Sequence, residues 1–112
     1  MMMSTPGTIV SVLFRGAHQA KKRPALVVST DLYHANRPDV VLALITKNVA
    51  LATAPTDYVL QDWQQAGLHL PSAFRAFLET HPTTTIIHEI GHLSHRDWQE
   101  IQARLRLAIA VT

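Results

Sequence analysis

The stretch that decides the fold runs from residue 21 to residue 46 and reads KKRPALVVSTDLYHANRPDVVLALIT. It contains two apolar runs, residues 25–29 and 40–45, both rich in Val, Leu and Ile. Each run is five or six residues long, which favours a buried strand over a helix. Residues 33–39 between them are rich in turn-forming residues and predict a loop. The stretch therefore predicts two neighbouring strands joined by a loop.

Polar side chains mark one end of each of these two predicted strands. Arg23 opens the first strand and is followed by Pro24, and Thr46 closes the second. If the strands pair antiparallel, the start of one lies beside the end of the other. Arg23 and Thr46 would then meet at one rim of a sheet, where rigid strand ends can hold chemical groups in place.

The remaining chain predicts more short strands and a terminal helix. Further strands are expected at residues 8–14, 56–60, 72–80 and 83–89. Residues 15–22 are polar and predict a loop, residues 61–67 predict one or two helical turns that end at Gly67, and His81-Pro82 interrupts the last two strands.

The last element has a helical period. Ser94 and Asp97 fit a capping box, in which each side chain satisfies a free backbone N–H group. The apolar residues that follow recur at helical spacing: Trp98, Ile101, Leu105 and Ala108. We predict an amphipathic helix over about residues 96–110. The chain as a whole, residues 1–112, is predicted to be one mostly β domain of the α+β kind, a small antiparallel β barrel or rolled sheet with a C-terminal helix.

Composition limits the classes of protein to which the chain can belong. The 112 residues include 47% hydrophobic residues, too many for a disordered chain, and no cysteine, so a disulfide framework and a thiolate nucleophile are both excluded. The net charge of +2 permits an anionic partner without requiring one. The first residues lack the pattern of a signal peptide, and no apolar run approaches the ~20 residues of a membrane helix. We expect a soluble cytoplasmic protein with no membrane partner.

Residues 88–92 read HEIGH and match H-E-x-x-H, the pattern of zinc peptidases. That pattern binds zinc only on a helix, where the two histidines share a face. The preceding Thr and Ile residues and the internal Gly91 oppose a helix. In a strand, His88 and His92 would lie ~13 Å apart at ~3.3 Å per residue, which Zn–N bonds of ~2.1 Å cannot bridge. We therefore expect no metal and no cofactor, with a zinc hydrolase as the weakest alternative.

Three strand-end groups are candidates for catalysis. Arg23 carries a planar fork of donors suited to phosphate, although a surface cation at a strand end would look the same. Thr46 offers a hydroxyl, although the β propensity of threonine also explains it. Glu79 lies near the end of the predicted strand 72–80 and, together with His81, could approach the same rim.

A second group of basic side chains could contact an anionic ligand. His18 lies in the predicted first loop beside Lys21 and Lys22, which could form a basic flap or simply a solvated loop. Lys47 follows Thr46. The complete set of predicted ligand-binding residues is His18, Lys21, Lys22, Lys47, Arg75 and His81.

The order of the motifs resembles that of a known family. The matching pieces are residues 8–14, 23–29 (RPALVVS), 43–46 (ALIT), Pro55-Thr56, Gly67, Pro71-Ser72 and residues 90–94 (IGHLS). In this order, over nearly the whole chain, they resemble the MazF/PemK family of toxins from toxin–antitoxin pairs. The resemblance implies an SH3-like antiparallel β barrel with a C-terminal helix, usually a homodimer, and a metal-independent endoribonuclease acting on single-stranded RNA.

The resemblance also implies roles for residues. The family's Arg-Pro arginine falls on Arg23 and its strand-end hydroxyl on Thr46. Many members carry an acidic residue and a further arginine in the strand that here reads RAFLET, residues 75–80. Apolar residues stand where the acid is usual, so Glu79 would have to substitute with a different geometry, and activity could be impaired.

The implied mechanism is attack of the RNA 2′-hydroxyl on the adjacent phosphorus. Arg23 would stabilise charge on phosphorus and could also take part in proton transfer, Thr46 would orient the phosphate, and Glu79, His18 or His81 would be the general base. Implied partners are RNA, a second copy of the chain and an antitoxin with an acidic segment, with DNA bound only through the antitoxin complex. The principal alternative is a non-catalytic toxin like CcdB, which uses the same fold to bind DNA gyrase.

Overall fold

A computed structural model describes residues 5–15 and 19–111, which form one antiparallel sheet of six strands followed by a helix. The strands are β1 (Thr8–Arg15), β2 (Ala20–Val27), β3 (Asp39–Thr46), β4 (Tyr58–Val59), β5 (Ala73–Pro82) and β6 (Ile86–His92). The helices are α1 (Asp31–Asn36) and α2 (His95–Ala108). The order of strands across the sheet is β4-β5-β3-β2-β1-β6. The predicted mostly β class with a C-terminal helix is confirmed.

The sheet curls strongly but does not close into the predicted barrel. The rings of Phe14 on β1 and His81 on β5 are 4.9 Å apart, although β2 and β3 lie between these strands. In the part of the chain that the structure describes, the edge strands β4 and β6 do not pair with each other. Because β4 is only two residues long, the turn that follows it covers β6 instead, and a Cβ on Gly91 would lie 2.2 Å from the carbonyl oxygen of Ala66.

The central prediction of two antiparallel strands is confirmed. β2 pairs with β3 through Ala25–Leu44, Leu26–Ala43 and Val27–Leu42. The prediction of a loop over residues 15–22 is wrong at both ends of that range, because the β1–β2 ladder continues to the pair Arg15–Ala20. Backbone pairing needs no apolar side chains, so the hairpin carries exposed cations where the sequence pattern indicated a loop.

The segment between β2 and β3 is helical, so the prediction of a loop over residues 33–39 is wrong for its first half. The Thr30 side chain accepts a hydrogen bond from the Tyr33 N–H group at 3.2 Å and caps α1, with Asp31 in the first turn. The buried His34 places Nε2 2.5 Å from Ser29 Oγ, which ties this short helix to the end of β2. The local capping signal outweighs the turn composition that follows it.

The break predicted at His81-Pro82 lies slightly later. β5 continues to Pro82, which pairs with Asp39, and the chain then makes a 3₁₀ turn over Thr83–Thr85. Pro82 is tolerated because it is the last residue of the strand. β6 consequently begins at Ile86, three residues later than predicted.

Alternating side chains on the central strands bury two apolar clusters, as expected for a sheet covered on both faces. One cluster includes Ile9, Leu26, Ala43, Phe74 and Ile101, and the partly buried Trp63 and Trp98 pack against it. The other comprises Val10, Val12, Ala25, Val27, Val40 and Leu42. Neighbours such as Ile9 and Val10 lie in different clusters, so a register slip of one residue would exchange the two faces.

α2 begins with half of the predicted capping box. The Ser94 hydroxyl accepts a hydrogen bond from the Asp97 N–H group at 3.3 Å. The Asp97 carboxylate, 0% exposed, accepts instead from the Tyr58 hydroxyl at 2.5 Å and from the N–H groups of Gln61 at 3.1 Å and Asp62 at 2.8 Å. This buried carboxylate therefore fastens the start of α2 to the chain that leaves β4. In the described part of the chain, no helix is long and apolar enough to span a membrane.

A surface ion pair reinforces the same junction. Arg96 donates two hydrogen bonds to the Asp62 carboxylate, both at 2.8 Å, and the Ser94 hydroxyl donates a third at 2.6 Å. These bonds, those of Arg96 first, lower the pKa of Asp62 to about 2. Because the folded-state pKa lies below the ordinary value of 3.8, this contribution to stability is present above pH 3.8 and is lost as the pH falls towards 2.

The Tyr58–Asp97 hydrogen bond should make the stability of the fold depend on pH in the alkaline range. Burial, and then the bond to Asp97, raises the pKa of Tyr58 to about 12 from its ordinary 10.0. The stability that the neutral phenol contributes is therefore present below pH 10.0 and lost as the pH rises towards 12. Tyr58→Phe should lower the free energy of unfolding at neutral pH by about 1–3 kcal/mol, because Asp97 loses a buried donor.

The measurement is urea unfolding of the wild type, Tyr58→Phe and Tyr33→Phe at neutral pH and across the alkaline range. Tyr33, on α1, is the matched control because it has no contact with Asp97. Tyr58→Phe has no phenol to ionise at position 58. Above pH 10.0, its free energy of unfolding should therefore fall less steeply than that of the wild type. An identical alkaline slope in wild type and Tyr58→Phe would contradict the assignment.

Candidate functional site

A groove of about 770 Å³ lies at the end of the sheet where β2 begins and β3 ends. The start of β2 and the end of β3 line one part of it, and the turn before β5 lines another. β6 completes the groove, with Ser11 of β1 lying between β6 and β2. The main lining segments are residues 21–24, 45–48, 67–70 and 88–90.

The structure brings Arg23 and Thr46 together in this groove. The β2–β3 ladder ends at the pair Ala25–Leu44, two residues from Arg23 on β2 and two residues from Thr46 on β3, so both side chains lie at the same end of the sheet. The Thr46 Oγ1 atom accepts a hydrogen bond from the Asn48 N–H group at 3.1 Å, so its own proton remains available for a ligand. Arg23 is exposed and makes no ion pair with any residue that the structure describes.

The electrostatic character of the groove is positive. Lys21, Lys22 and Lys47 line it beside Arg23, whereas Glu89 is the carboxylate among its lining residues. Three of these cations lie on consecutive residues of β2, at the exposed start of the strand. A groove lined by cations at this density attracts a polyanion more strongly than a neutral ligand.

Glu79 and His81 do not reach this groove, contrary to expectation. On β5, Ala73 pairs with Thr46, whereas Glu79 pairs with Leu42 and His81 with Val40. Because β5 runs antiparallel to β3, each further residue carries the chain away from Thr46, and Glu79 lies roughly 15–20 Å along the strand. There Glu79 Oε1 lies 3.6 Å from His81 Nε2.

Arg75 is engaged elsewhere and does not line the groove. Its Nε lies 3.7 Å from Oδ2 of the buried Asp57, and its guanidinium lies 4.9 Å from the centre of the Phe77 ring. A bulge at this point of β5, with Ala76 at a φ of 57°, separates these side chains from the regular ladder. His18, also predicted to bind the ligand, lies outside the described residues.

The groove also contains two histidines that the sequence analysis did not assign to it, His69 and His88. His69 stands in a turn without periodic pattern, so no sequence signal points to it. His88 belongs to the H-E-x-x-H motif, but only the pairing of β6 with β1, which sets His88 beside Ser11, shows that it faces the groove.

His92, the second histidine of that motif, lies against two backbone carbonyl groups. His92 Nδ1 lies 2.8 Å from the Leu93 carbonyl oxygen and Nε2 lies 3.2 Å from that of Pro6. His88 lies on a strand, as the sequence predicted, and β6 continues beyond the predicted end at residue 89 to include His92. Within residues 5–15 and 19–111, no group of three or more His, Cys, Asp or Glu side chains is arranged to hold a metal ion.

Comparison with known proteins identifies relatives. The model of the family described as PemK-like, MazF-like toxin of type II toxin-antitoxin system matches residues 5–109. Endoribonuclease MazF2 of Mycobacterium bovis is 46% identical over 46 residues, and this match covers 40% of the chain and 40% of that relative. The matched part is thus less than half the length of the relative.

Solved structures share the fold at low identity. An endoribonuclease in complex with its cognate antitoxin, from a mycobacterial species, has a TM-score of 0.78 at 18% identity, covering 98% of this chain and 100% of that chain. A MazE-MazF crystal structure from Deinococcus radiodurans has a TM-score of 0.76 at 14% identity, with both chains fully covered. Since the family match spans nearly all of the sequence, the chain belongs to the PemK-like, MazF-like toxins of type II toxin–antitoxin systems.

Proposed function

We propose that the protein is an endoribonuclease that cleaves single-stranded RNA without a metal ion and thereby inhibits growth. The observation that carries the proposal is that Arg23 and Thr46 line one groove together with Lys21, Lys22 and Lys47. The curated relatives named as endoribonucleases support the same activity. The family match gives no support to the alternative of a CcdB-like toxin that binds gyrase.

The proposed reaction is an attack of the RNA 2′-hydroxyl on the neighbouring phosphorus. The 2′-oxygen bonds to phosphorus, the bond to the 5′-oxygen breaks, and the products are a 2′,3′-cyclic phosphate and a 5′-hydroxyl. Arg23 would stabilise the negative charge that grows on the phosphoryl oxygens, and the Thr46 hydroxyl would donate a hydrogen bond that fixes the phosphate. The lysines would hold the flanking phosphates, as a groove for single-stranded RNA requires.

The proton acceptor has to lie in the groove. Glu79 lies roughly 15–20 Å along β5 from the residue that pairs with Thr46, so the structure gives no support to a role for it in proton transfer. Arg75 and His81 also lie outside the groove lining, which weakens their predicted role in RNA binding.

An acidic antitoxin segment would cover the same groove. Lys21, Lys22, Arg23 and Lys47 offer it the charge that RNA phosphates would otherwise contact, so antitoxin and RNA would compete. One similar structure, an endoribonuclease in complex with its cognate antitoxin, supports such a partner. We place the action in the cytoplasm, with DNA reached only through the antitoxin complex.

We also infer that the protein acts as a homodimer. Ile87 on the edge strand β6 and Leu13 on the adjacent β1 are 44% and 38% exposed. An apolar pair beside an unpaired strand edge suits an isologous interface between two copies.

Light scattering of the purified protein should therefore give twice the monomer mass of 12.5 kDa at micromolar concentration. Ile87→Glu should shift the mass towards the monomer, because it sets two carboxylates into a desolvated contact. Leu107→Glu, at a more exposed apolar position on α2, should leave the mass unchanged. A wild type that stays monomeric would contradict the inference.

The central prediction concerns Arg23. Its charge acts mainly in the transition state, so Arg23→Ala should lower the single-turnover rate of cleavage by roughly two to three orders of magnitude with little change in RNA affinity. Arg23→Lys should recover part of the rate, because it retains the charge but loses the fork. Thr46→Ala should lower the cleavage rate by less than Arg23→Ala does, and Thr46→Ser should lower it only slightly.

Arg106→Ala is the matched control, since Arg106 is exposed on α2 and does not line the groove. Circular dichroism would confirm that every variant is folded, as expected for exposed or half-exposed side chains. Wild-type cleavage by a well-folded Arg23→Ala protein would show that this groove is not the ribonuclease site.

Metal independence has its own test. Because His88 and His92 lie on one strand, ~13 Å apart, we expect cleavage to persist in excess EDTA and elemental analysis to find no stoichiometric zinc. The comparison protein is His92→Ala, which should match the wild type in zinc content. One tightly held zinc per chain that disappears in His92→Ala would instead establish the metal site.

A further inference from the structure

His69 and His88 line the groove that contains Arg23 and Thr46, and neither has a role in the reaction described so far. Cleavage by a 2′-hydroxyl needs two proton transfers, one from the attacking oxygen and one to the leaving oxygen. Imidazole is the side chain best suited to both near neutral pH, since it changes charge between about pH 5 and 8.

The strand register places His88 close to the phosphate site. His88 on β6 pairs with Ser11 on β1, and Ser11 pairs with Pro24, the residue after Arg23. Residues paired directly across strands point to the same side of a sheet, so the side chains of His88, Ser11 and Pro24 share one face. Adjacent strands lie about 4.8 Å apart, so the Cα atoms of His88 and Pro24 are roughly 10 Å apart. Arg23 is paired with Val12 and so projects from the other face of β2, but it lines the same groove at the end of the strand. A phosphodiester bound in that groove can contact both the Arg23 guanidinium and the His88 imidazole.

His69 approaches from the turn that packs on β6. This turn is pressed against the strand at Gly67, where φ is 90° and an added Cβ would lie 2.7 Å from the Ile90 carbonyl oxygen. Leu68 donates a backbone hydrogen bond to the Trp63 carbonyl oxygen at 3.1 Å, which holds the chain just before His69. His69 thus lies on a turn that is held by packing and a hydrogen bond, and His88 lies on a strand.

We propose that His69 and His88 carry out the two proton transfers of RNA cleavage. One neutral imidazole accepts the proton of the 2′-hydroxyl as the 2′-oxygen bonds to phosphorus. The other, as imidazolium, donates its proton to the 5′-oxygen as the P–O5′ bond breaks. This inference rests on the proposed ribonuclease function and assigns the proton acceptor and donor that the function lacks.

Among the residues that the structure describes, the other charged side chains that line the groove are four cations and one carboxylate. Lys21, Lys22 and Arg23 of β2 and Lys47 beyond β3 face the groove as cations that hold phosphate. Glu89, the neighbour of His88, is the other lining group that could accept a proton. A carboxylate base would make the rate rise at lower pH than an imidazole base, so the two are separable.

The test is the pH dependence of single-turnover cleavage of a single-stranded RNA. The wild type should give a bell-shaped profile, and His69→Ala and His88→Ala should each lower the rate by roughly 10²–10⁴-fold and remove a different limb. Both variants should bind the same RNA, with a 2′-deoxy residue at the cleavage position, with the affinity of the wild type. His95→Ala is the control, since His95 is exposed at the start of α2 and outside the groove.

A substrate with sulfur in place of the 5′-oxygen distinguishes the donor from the acceptor. Thiolate leaves without protonation, so this RNA should restore the rate of the variant that lacks the donor histidine and not that of the other. A structural role for either histidine would produce no such selective rescue.

Wild-type rates and pH profiles in both histidine variants would overturn the proposal while leaving the ribonuclease function intact. Loss of a limb in Glu89→Gln but not in the histidine variants would overturn it in favour of a carboxylate base. If the wild type cleaves no single-stranded RNA, the ribonuclease function fails and the inference fails with it.

Discussion

The antiparallel pairing of β2 with β3 is the constraint on which the candidate site depends. Its register, Ala25 with Leu44, is maintained by apolar side chains that alternate between two buried clusters. A slip of one residue would exchange these clusters, so the register is held by burial over the length of the pair. The same register brings Arg23 and Thr46 to one end of the sheet, where both line the groove. The geometry of the candidate site is thus fixed by core packing several residues away from Arg23 and Thr46.

A second constraint acts on the far wall of the groove. The buried Asp97 carboxylate accepts hydrogen bonds from the N–H groups of Gln61 and Asp62, which fixes the turn that leads to His69. The same turn lies so close to β6 that Gly91 has no room for a side chain. The helix α2 therefore serves the groove indirectly: its first turn anchors the segment that lines it.

Much of this could be predicted from local sequence. The apolar runs at residues 25–29 and 40–45, and Ser94 before a helical period, carry strong local signals, and all became the expected elements. Arg23 and Thr46 could be placed together because antiparallel pairing alone brings opposite strand ends to one rim. The groove's cations Lys21, Lys22 and Lys47 follow from the same placement.

The failures arise where position depends on the direction of a strand or on distant packing. Glu79 was expected at the rim, but β5 runs antiparallel to β3 and carries it away from Thr46. His88 faces the groove only because β6 crosses to the far side of β1, and His69 only because a turn packs on β6. Neither arrangement has a local signature. Asp97 satisfied a capping pattern in sequence, yet its carboxylate serves partners more than thirty residues away.

The central claim is that this groove binds single-stranded RNA. Two-dimensional NMR of the labelled protein, titrated with an RNA whose cleavage site carries a 2′-deoxy residue, observes binding without cleavage. The claim predicts that amide shifts concentrate in residues 21–24, 45–48, 67–70 and 88–90. Shifts confined to the exposed end of α2, around Leu107 and Ile109, or an unperturbed groove at saturating RNA, would contradict it.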